Sequence, residues 1–493
     1  MKPYKKKFFT AIIISIFLLN SGCTNNPATG EKSFTGFMSK EKEAKVGKEE
    51  HPKILKQFGG EYHKSSLNAY IRFLGRKLIA VSEVPNLPFR FTILNDERVN
   101  AFALPGGYVY ITRGLLALAN NEAEIAGVLA HEIAHITARH TAQRYSAAIA
   151  TNIGLNIFGI LGSAAGLPSG VGQVVSFGAS AAIQGYSRSQ ELQADMLGVR
   201  YMTRAGYSPE GMTSFFRVLA SHSKLKAKQI GGNTQEHNIM STHPRTQDRI
   251  IKAIKMAKSK TIKNPIYGRE EYLQQINNMV FGDTLRQGIR RGNEFIHPYL
   301  GFKFSVPPSF SMLNYPDKLI AFGPKKSRIE FSMIHLKNVK SIKNLRHYLV
   351  KKWAGNLPLR NLETLNINGM AAETGTSQTI DGMFDIRLLV IKGNPKEIFR
   401  FAFINRPSQT KVLTEGLQRL SFSFKRLEPS EAKNILPLRI QIITVKQYDT
   451  IKSFIQKMTT PNDKFNSAWF HLLNNISSET PLTIGMKVKL ITQ

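Results

Sequence analysis

The sequence predicts an α+β chain in three folded parts. The first, over residues 38–260, is mostly helical with a small sheet; the second, over 298–430, is a β-rich α+β part; the third, over 431–493, is a small strand–helix–helix–strand unit. Three observations predict this. Helical apolar spacing prevails as far as Lys260 and is broken by one clearly alternating stretch, "FRFTILNDERVNAFALPGGYVYIT". From Pro298 onward the pattern is of short β-rich runs separated by Gly, Pro and Asn, among them "YLGFKFSVPPSF", "IEFSMIHL", "DIRLLVIKG" and "IFRFAFIN". The closing stretch, "IQIITVKQYDTIKSFIQKM" and then "FHLLNNISSETPLTIGMKVKLI", sets two strand-like runs around two helical ones. A chain of 493 residues can bury a core in each part.

The elements follow in order. Residues 1–22 read as a secretory signal: Lys2, Lys5, Lys6 and Lys7 precede an uncharged apolar run from Phe8 to Leu19, then small residues lead to Cys23. That run is too short to span a bilayer. Cys23 is the only cysteine, which excludes an internal disulfide. "NSGC" resembles a bacterial lipobox, with Asn20 where Leu is expected and Leu19 one place early. On that reading Cys23 is lipidated and holds the protein to a membrane by its acyl chains, and Thr24 after it points to the outer membrane. Ordinary signal-peptidase cleavage is the alternative. Residues 23–37 read as a polar, turn-rich tether.

Within the alternating stretch, "PGG" at 105–107 is a turn between two strands of a hairpin. A helix starts at Asn121, with Glu124 at capping-box spacing. No charged residue occurs between Arg144 and Arg188. Glycines and a proline break that segment, so helices and a loop over a cleft are expected there rather than a membrane hairpin; transient membrane contact is the lesser reading. Residues 261–297 read as a helical linker. The last unit resembles a LysM-like module, which has a Gly-Asp-Thr turn where this chain has Tyr448, Asp449 and Thr450.

The formal net charge of +33 favours anionic partners. Its basic residues are spread along the chain, with no dense Arg stripe interleaved with aromatics. Nucleic acid is therefore not an expected partner, and an anionic membrane surface is.

The chemistry centres on "LAHEIAHITARH" at 129–140. His131 and His135, four apart on a helix, present both imidazoles to one ion, and Glu132 between them can take a proton from a water molecule held there. A third protein ligand is needed. A histidine ten residues after the first is ruled out, because Thr141 stands there and Ala138 replaces the glycine that such sites require. A glutamate on a second helix is the other solution, and "YSRSQELQAD" offers Glu191. Asp195, one turn on, shares its face and can accept a hydrogen bond from a ligand imidazole, orienting the ring. The plain alternative for both acids is a solvated helix face.

Taken together, "NAFALPGGYVYITRGLLALANNEAEIAGVLAHEIAHITARH", "YSRSQELQAD" and "STHPRTQDRI" resemble the HtpX-like zinc metallopeptidase family, which includes the CAAX prenyl proteases, and within it the periplasmic β-barrel assembly-enhancing type. The resemblance covers about residues 25–260. It implies a zincin-type peptidase domain of the gluzincin class over 38–260, with one Zn2+ per chain on His131, His135 and Glu191 and with Glu132 as general base. Asp195 matches a position assigned as proton donor, although its geometry favours orienting a ligand. His243 matches a histidine that approaches the metal, either stabilising an oxyanion or capping the ion at rest; a helix-start role before Pro244 is the plain alternative. Substrate is expected along an edge strand at Asn100, Ala101, Phe102 and Ala103, pairing as an added strand, which suits unfolded or misassembled envelope polypeptides. The resemblance thus implies a periplasmic endopeptidase of a Gram-negative envelope that degrades stalled outer-membrane proteins. A chaperone or assembly factor with a mostly latent site is the second reading, and peptidoglycan contact through the last module a third. The assembly-enhancing type carries helical repeats after its peptidase domain, whereas this chain turns β-rich.

Overall fold

The computed structural model describes residues 23–150, 185–229, 262–335, 344–394 and 397–493, together with His243, Arg249 and positions 251, 252, 255 and 256. The signal segment 1–22 and most of the uncharged segment lie outside the described residues. Two units divide the chain, one of Met1–Val218 with Glu236–Ile276 and one of Leu219–Gln235 with Asn277–Gln493.

The first unit opens on β1 (Cys23–Asn25), paired antiparallel with β2 (Lys32–Phe34). Residues 23–37 are therefore no free tether, and the physical reason lies in their polar side chains. Asn26 is buried and donates to Ala138 O at 3.2 Å. The Arg139 guanidinium reaches Thr24 and Thr35 Oγ1, each at 3.2 Å, and Met38 O at 2.6 Å. Polarity that reads as solvation is spent on the domain. Helices α1 (Lys40–Gln57) and α2 (Ser65–Ala80) follow, with Ser39 capping α1.

The alternating stretch makes three strands where a hairpin of two was expected: β3 (Arg90–Leu94), β4 (Ala101–Leu104) and β5 (Tyr108–Thr112). The order is β3–β5–β4, with β3 parallel to β5 and β4 antiparallel to it. The expected turn holds β4 to β5. Gly107 sits at φ +90, and a Cβ there would meet Pro88 O at 2.3 Å, so only glycine fits. Helices α3 (Arg113–Leu118), α4 (Glu122–Thr137), α5 (Arg188–Arg204), α6 (Glu210–Gln229) and α7 (Arg269–Ile276) complete the helical set relevant to the site.

The second unit corrects the linker reading. Of residues 261–297, α7 is helical, but β6 (Ile289–Arg291) and β7 (Glu294–His297) are strands that turn at Gly292, φ +59, and pair onward to β8 (Phe302–Ser305). The turn lets Ile289 and Ile296 pack with Leu427 and Ile435, and Phe295 with Phe302, Phe304 and Phe331. Beyond them lies a seven-stranded antiparallel sheet formed by β9 (Ser311–Asn314), β10 (Lys318–Phe322), β11 (Arg328–His335), β12 (Arg360–Ile367), β13 (Met370–Gln378), β14 (Asp385–Asn394) and β15 (Glu397–Asn405). Phe302, Phe304, Phe331, Phe399 and Phe401 fill its core with Leu413, Leu417 and Leu420 of helix α8 (Pro407–Ser423). The expected strand–helix–helix–strand order closes the chain, with Arg439–Thr444 antiparallel to Lys487–Thr492 around helices Ile451–Lys457 and Asn466–Asn474.

Candidate metal centre

Helix α4 is buried around nearly its whole circumference, so its polar residues face protein rather than water. Asn121 caps it, accepting from Glu124 N at 2.9 Å. Among the described residues, the helix start shows no reciprocal bond from Asn121 N to the Glu124 side chain. The Glu124 carboxylate instead accepts from Asn120 N at 2.7 Å and from Ser214 Oγ at 2.6 Å, tying α6 to the start of α4.

Helix α5, started by a capping box of Ser187 and Gln190, lies against α4 with Gly198 at the close approach. A Cβ at 198 would stand 2.9 Å from Met212 Cε and 3.3 Å from His131 N. That closeness brings Glu191, two turns earlier on α5, to the α4 imidazoles. Gly198→Val is expected to destabilise the domain by about 1–3 kcal/mol through overpacking and to weaken metal binding with it. Thermal melts and a chelator titration check this, and unchanged values in both would show that the close approach is not needed.

The described residues meet the sequence expectation at one point. His131 Nε2 is 3.0 Å from His135 Nε2. Glu191 Oε2 is 3.6 Å from the first and Oε1 3.5 Å from the second. Ligand atoms held at about 2.1 Å around a tetrahedral ion stand roughly 3.4 Å apart, so this spacing fits such an ion. His243 joins the group: its Nδ1 is 2.8 Å from Glu191 Oε1 and 3.2 Å from His131 Nε2. One candidate ligand atom from each of the four residues lies within 4.8 Å of all the others, and all four residues are buried.

Asp195 Oδ1 stands 3.0 Å from His131 Nδ1, on the far side of the ring from Glu191. A carboxylate thus faces the Nδ1 edge of the ring, while the Nε2 edge faces Glu191 and His135. Asp195 lies between the His131 ring and Arg249. Sequence reasoning singled out neither of the next two residues. Arg249, buried, grips Asp195 with Nε to Oδ2 and Nη2 to Oδ1, both at 2.9 Å, and reaches Glu191 Oε2 with Nη1 at 2.5 Å. His140 lies 2.8 Å from His135 Nδ1 through its own Nδ1. Both stand inside motifs the sequence displays, but an arginine or histidine shows its partner only in the fold.

Glu132 is fully buried, and neither carboxylate oxygen has a hydrogen-bond partner among the described residues. His243 Nε2 lies 3.4 Å from its Oε1. Beside Glu132, His131 and His243 is a cavity of about 20 Å3, also lined by Val128 and Phe216, space for about one water. Burial pushes the Glu132 carboxyl above its ordinary range. Burial would do the same to Glu191, but the charge and hydrogen bond of His243, with the charge of Arg249, outweigh it and hold that carboxyl low. Asp195 is held low by His131 and Arg249 against the same burial. Burial, helped by neighbouring imidazoles, depresses His135, and burial takes His140 down to about 4, so both rings are neutral at pH 7. His243 is pushed the other way, its desolvation outweighed by Glu191 and Glu132. Two acids on one metal face are thereby set apart, one held ionised and one made basic enough to accept a proton.

The expected substrate strand is β4, at the edge of its sheet. Thr112 N donates to Asn100 O at 3.0 Å, so Asn100 faces inward, and the alternation of an antiparallel ladder turns the main-chain groups of Ala101 and Ala103 outward. All of Ala101–Leu104 are buried. Cys23 opens β1, away from these residues in sequence but in the hairpin that bonds Ala138 and Gln193.

Residues 65–257 match the sequence profile of peptidase family M48. The beta-barrel assembly-enhancing protease of Yersinia pestis is 31% identical over 221 residues, covering 42% of this chain and 42% of that protein. Its Escherichia coli K12 namesake is 28% identical over 194 residues, 38% of each chain. The mitochondrial metalloendopeptidase OMA1 of Schizosaccharomyces pombe is 28% identical over 216 residues, 43% of this chain and 59% of that one. The chain thus covers less than two thirds of each relative's length.

Proposed function

We propose, from the premise that residues 65–257 are an M48 metallopeptidase domain, that the protein is a zinc-dependent endopeptidase of a Gram-negative cell envelope acting on unfolded or misassembled outer-membrane polypeptides. The carrying observation is the donor set: two imidazole nitrogens and one carboxylate held ionised, spaced to share one ion, beside a buried Glu132 with no hydrogen-bond partner among the described residues. Nitrogen and oxygen donors at this spacing suit zinc, and three protein ligands leave one position for chemistry. Zinc bound there would polarise a peptide carbonyl and acidify water. Glu132, with its raised affinity for a proton, takes that proton as water attacks and passes it to the departing amine. Asp195 keeps His131 turned for binding, and Arg249 keeps Asp195 and Glu191 ionised in a dry site. Substrate pairs with Ala101 and Ala103 as an added strand, which favours extended chains over folded ones. A signal segment and lipidated Cys23 would hold the protein at the periplasmic face of the outer membrane, and the last module would contact peptidoglycan.

One observation favours a latent enzyme. His243 stands at ligand distance from Glu191 and His131, where it would fill the fourth position, and the remaining space is about 20 Å3. A protein that binds clients and rarely cuts them is the second reading. The test is purified protein, its zinc content measured and its degradation of casein followed with and without a chelator. One zinc per chain and chelator-sensitive cleavage are expected; metal-free protein or chelator-resistant cleavage would overturn the assignment.

A further inference from the structure

We propose that the N-terminal hairpin fixes the tautomer of His135, and so which of its nitrogens a metal can use, through the side chains of Asn26, Gln193 and His140. The inference rests on reading His135 as a ligand. A neutral imidazole carries one proton, and the nitrogen that keeps it is lost to a metal. His131 has a carboxylate, Asp195, 3.0 Å from its Nδ1. His135 meets another imidazole instead: its Nδ1 stands 2.8 Å from Nδ1 of His140. Those two rings alone permit either polarity.

The decision comes from farther out. Ala28 N donates to Asn26 Oδ1 at 2.9 Å, and a main-chain amide can do nothing else. The other terminal atom of Asn26 is therefore Nδ2, which donates to Ala138 O at 3.2 Å and to Gln193 at 3.4 Å. The receiving atom of Gln193 is then Oε1. Its Nε2 faces the Glu31 carboxylate at 3.2 Å, an acceptor only, which fixes the same orientation independently. Gln193 Oε1 also lies 2.7 Å from His140 Nε2, so His140 carries its proton on Nε2 and offers a lone pair from Nδ1. His135 must donate from Nδ1, which bares the Nε2 that faces His131 and Glu191. Reversing any link sets two donors or two acceptors against each other.

The relay begins at the main-chain amide of Ala28, in the segment joining β1 to β2, and ends on the Nε2 of His135 that faces Glu191. An imidazole without a partner favours its proton on Nε2, the atom this site needs bare. His140 and Gln193 are thus positioning residues that act through His135, and Asn26 holds the far end. Outer partners of a metal-ligating histidine are worth roughly 10–100-fold in affinity.

The experiment is competition with a metallochromic chelator on the full chain, with folding followed by thermal melts. His140→Ala and Gln193→Leu are each expected to weaken zinc binding about tenfold or more. Gln193→Glu, which keeps an acceptor for His140 Nε2, should stay within about threefold of wild type. Asn26→Leu, remote from the ion, should weaken binding severalfold. Imidazole 15N shifts of the metal-free protein give the direct reading: His135 with Nδ1 protonated in wild type, and a mixture of tautomers in Gln193→Leu. An Nε2-protonated His135 in wild type, or Gln193→Leu and Gln193→Glu binding zinc equally, would overturn the relay. Wild type that binds no zinc at all would overturn the metal assignment itself, a distinguishable result.

Discussion

Glu132→Gln should retain one zinc per chain and lose peptide hydrolysis by about 100- to 10,000-fold, the span expected when a positioned proton acceptor is removed. The amide preserves the size and shape of the carboxylate, and Glu132 makes no hydrogen bond among the described residues whose loss would disturb the fold. What disappears is the capacity to accept a proton from water and return it to the amine. Burial raises the proton affinity of the native carboxyl, so the group is tuned for that exchange rather than for binding cations. Hydrolysis of a fluorogenic peptide, read alongside zinc content, decides the matter. A variant within tenfold of wild type would remove Glu132 from the chemistry. The same substitution separates enzyme from binding factor in the cell: envelope integrity restored as well by Glu132→Gln as by wild type would favour the binding reading.

Some of this site was legible in the sequence because its logic is local. Two histidines four apart share a helix face wherever they occur, and the acid between them needs no distant information. That Glu191 should lie near that pair was legible by a requirement of coordination chemistry for a third ligand, once Thr141 had ruled out the nearer solution. Arg249 was not legible, since its meaning lies in carboxylates on another helix that only the packing at Gly198 brings near. The segment 23–37 misled for a different reason. Its Asn, Thr and Glu residues have the composition of a solvated tether, yet Asn26 and Thr35 are buried and hydrogen-bonded to the domain. Composition reports polarity but not whether water or protein satisfies it. Strand order failed likewise: one alternating stretch shows that strands exist, while the parallel pairing of β3 to β5 depends on where the chain returns.

The second large effect is expected at Arg249. Glu191 and Asp195 are both buried and both held ionised, and Arg249 supplies the permanent positive charge that they share. Arg249→Leu leaves two carboxylates in a dry site without it, and losing one partner of a buried ion pair costs about 3–5 kcal/mol. For a domain of this size that is roughly a 10 °C fall in melting temperature of the metal-free protein. Zinc would offset part of the loss, because its charge replaces the arginine's at Glu191 but not at Asp195. The melting temperature should therefore rise more on adding zinc to Arg249→Leu than to wild type. Arg249→Lys should recover less than half of the deficit, since one ammonium cannot span Asp195 Oδ1, Asp195 Oδ2 and Glu191 Oε2 as the guanidinium does. A metal-free Arg249→Leu protein that melts within 2 °C of wild type would mean that the acids are protonated or hydrated in the fold, and that the ionised carboxylate on which metal capture depends is not prepared in advance.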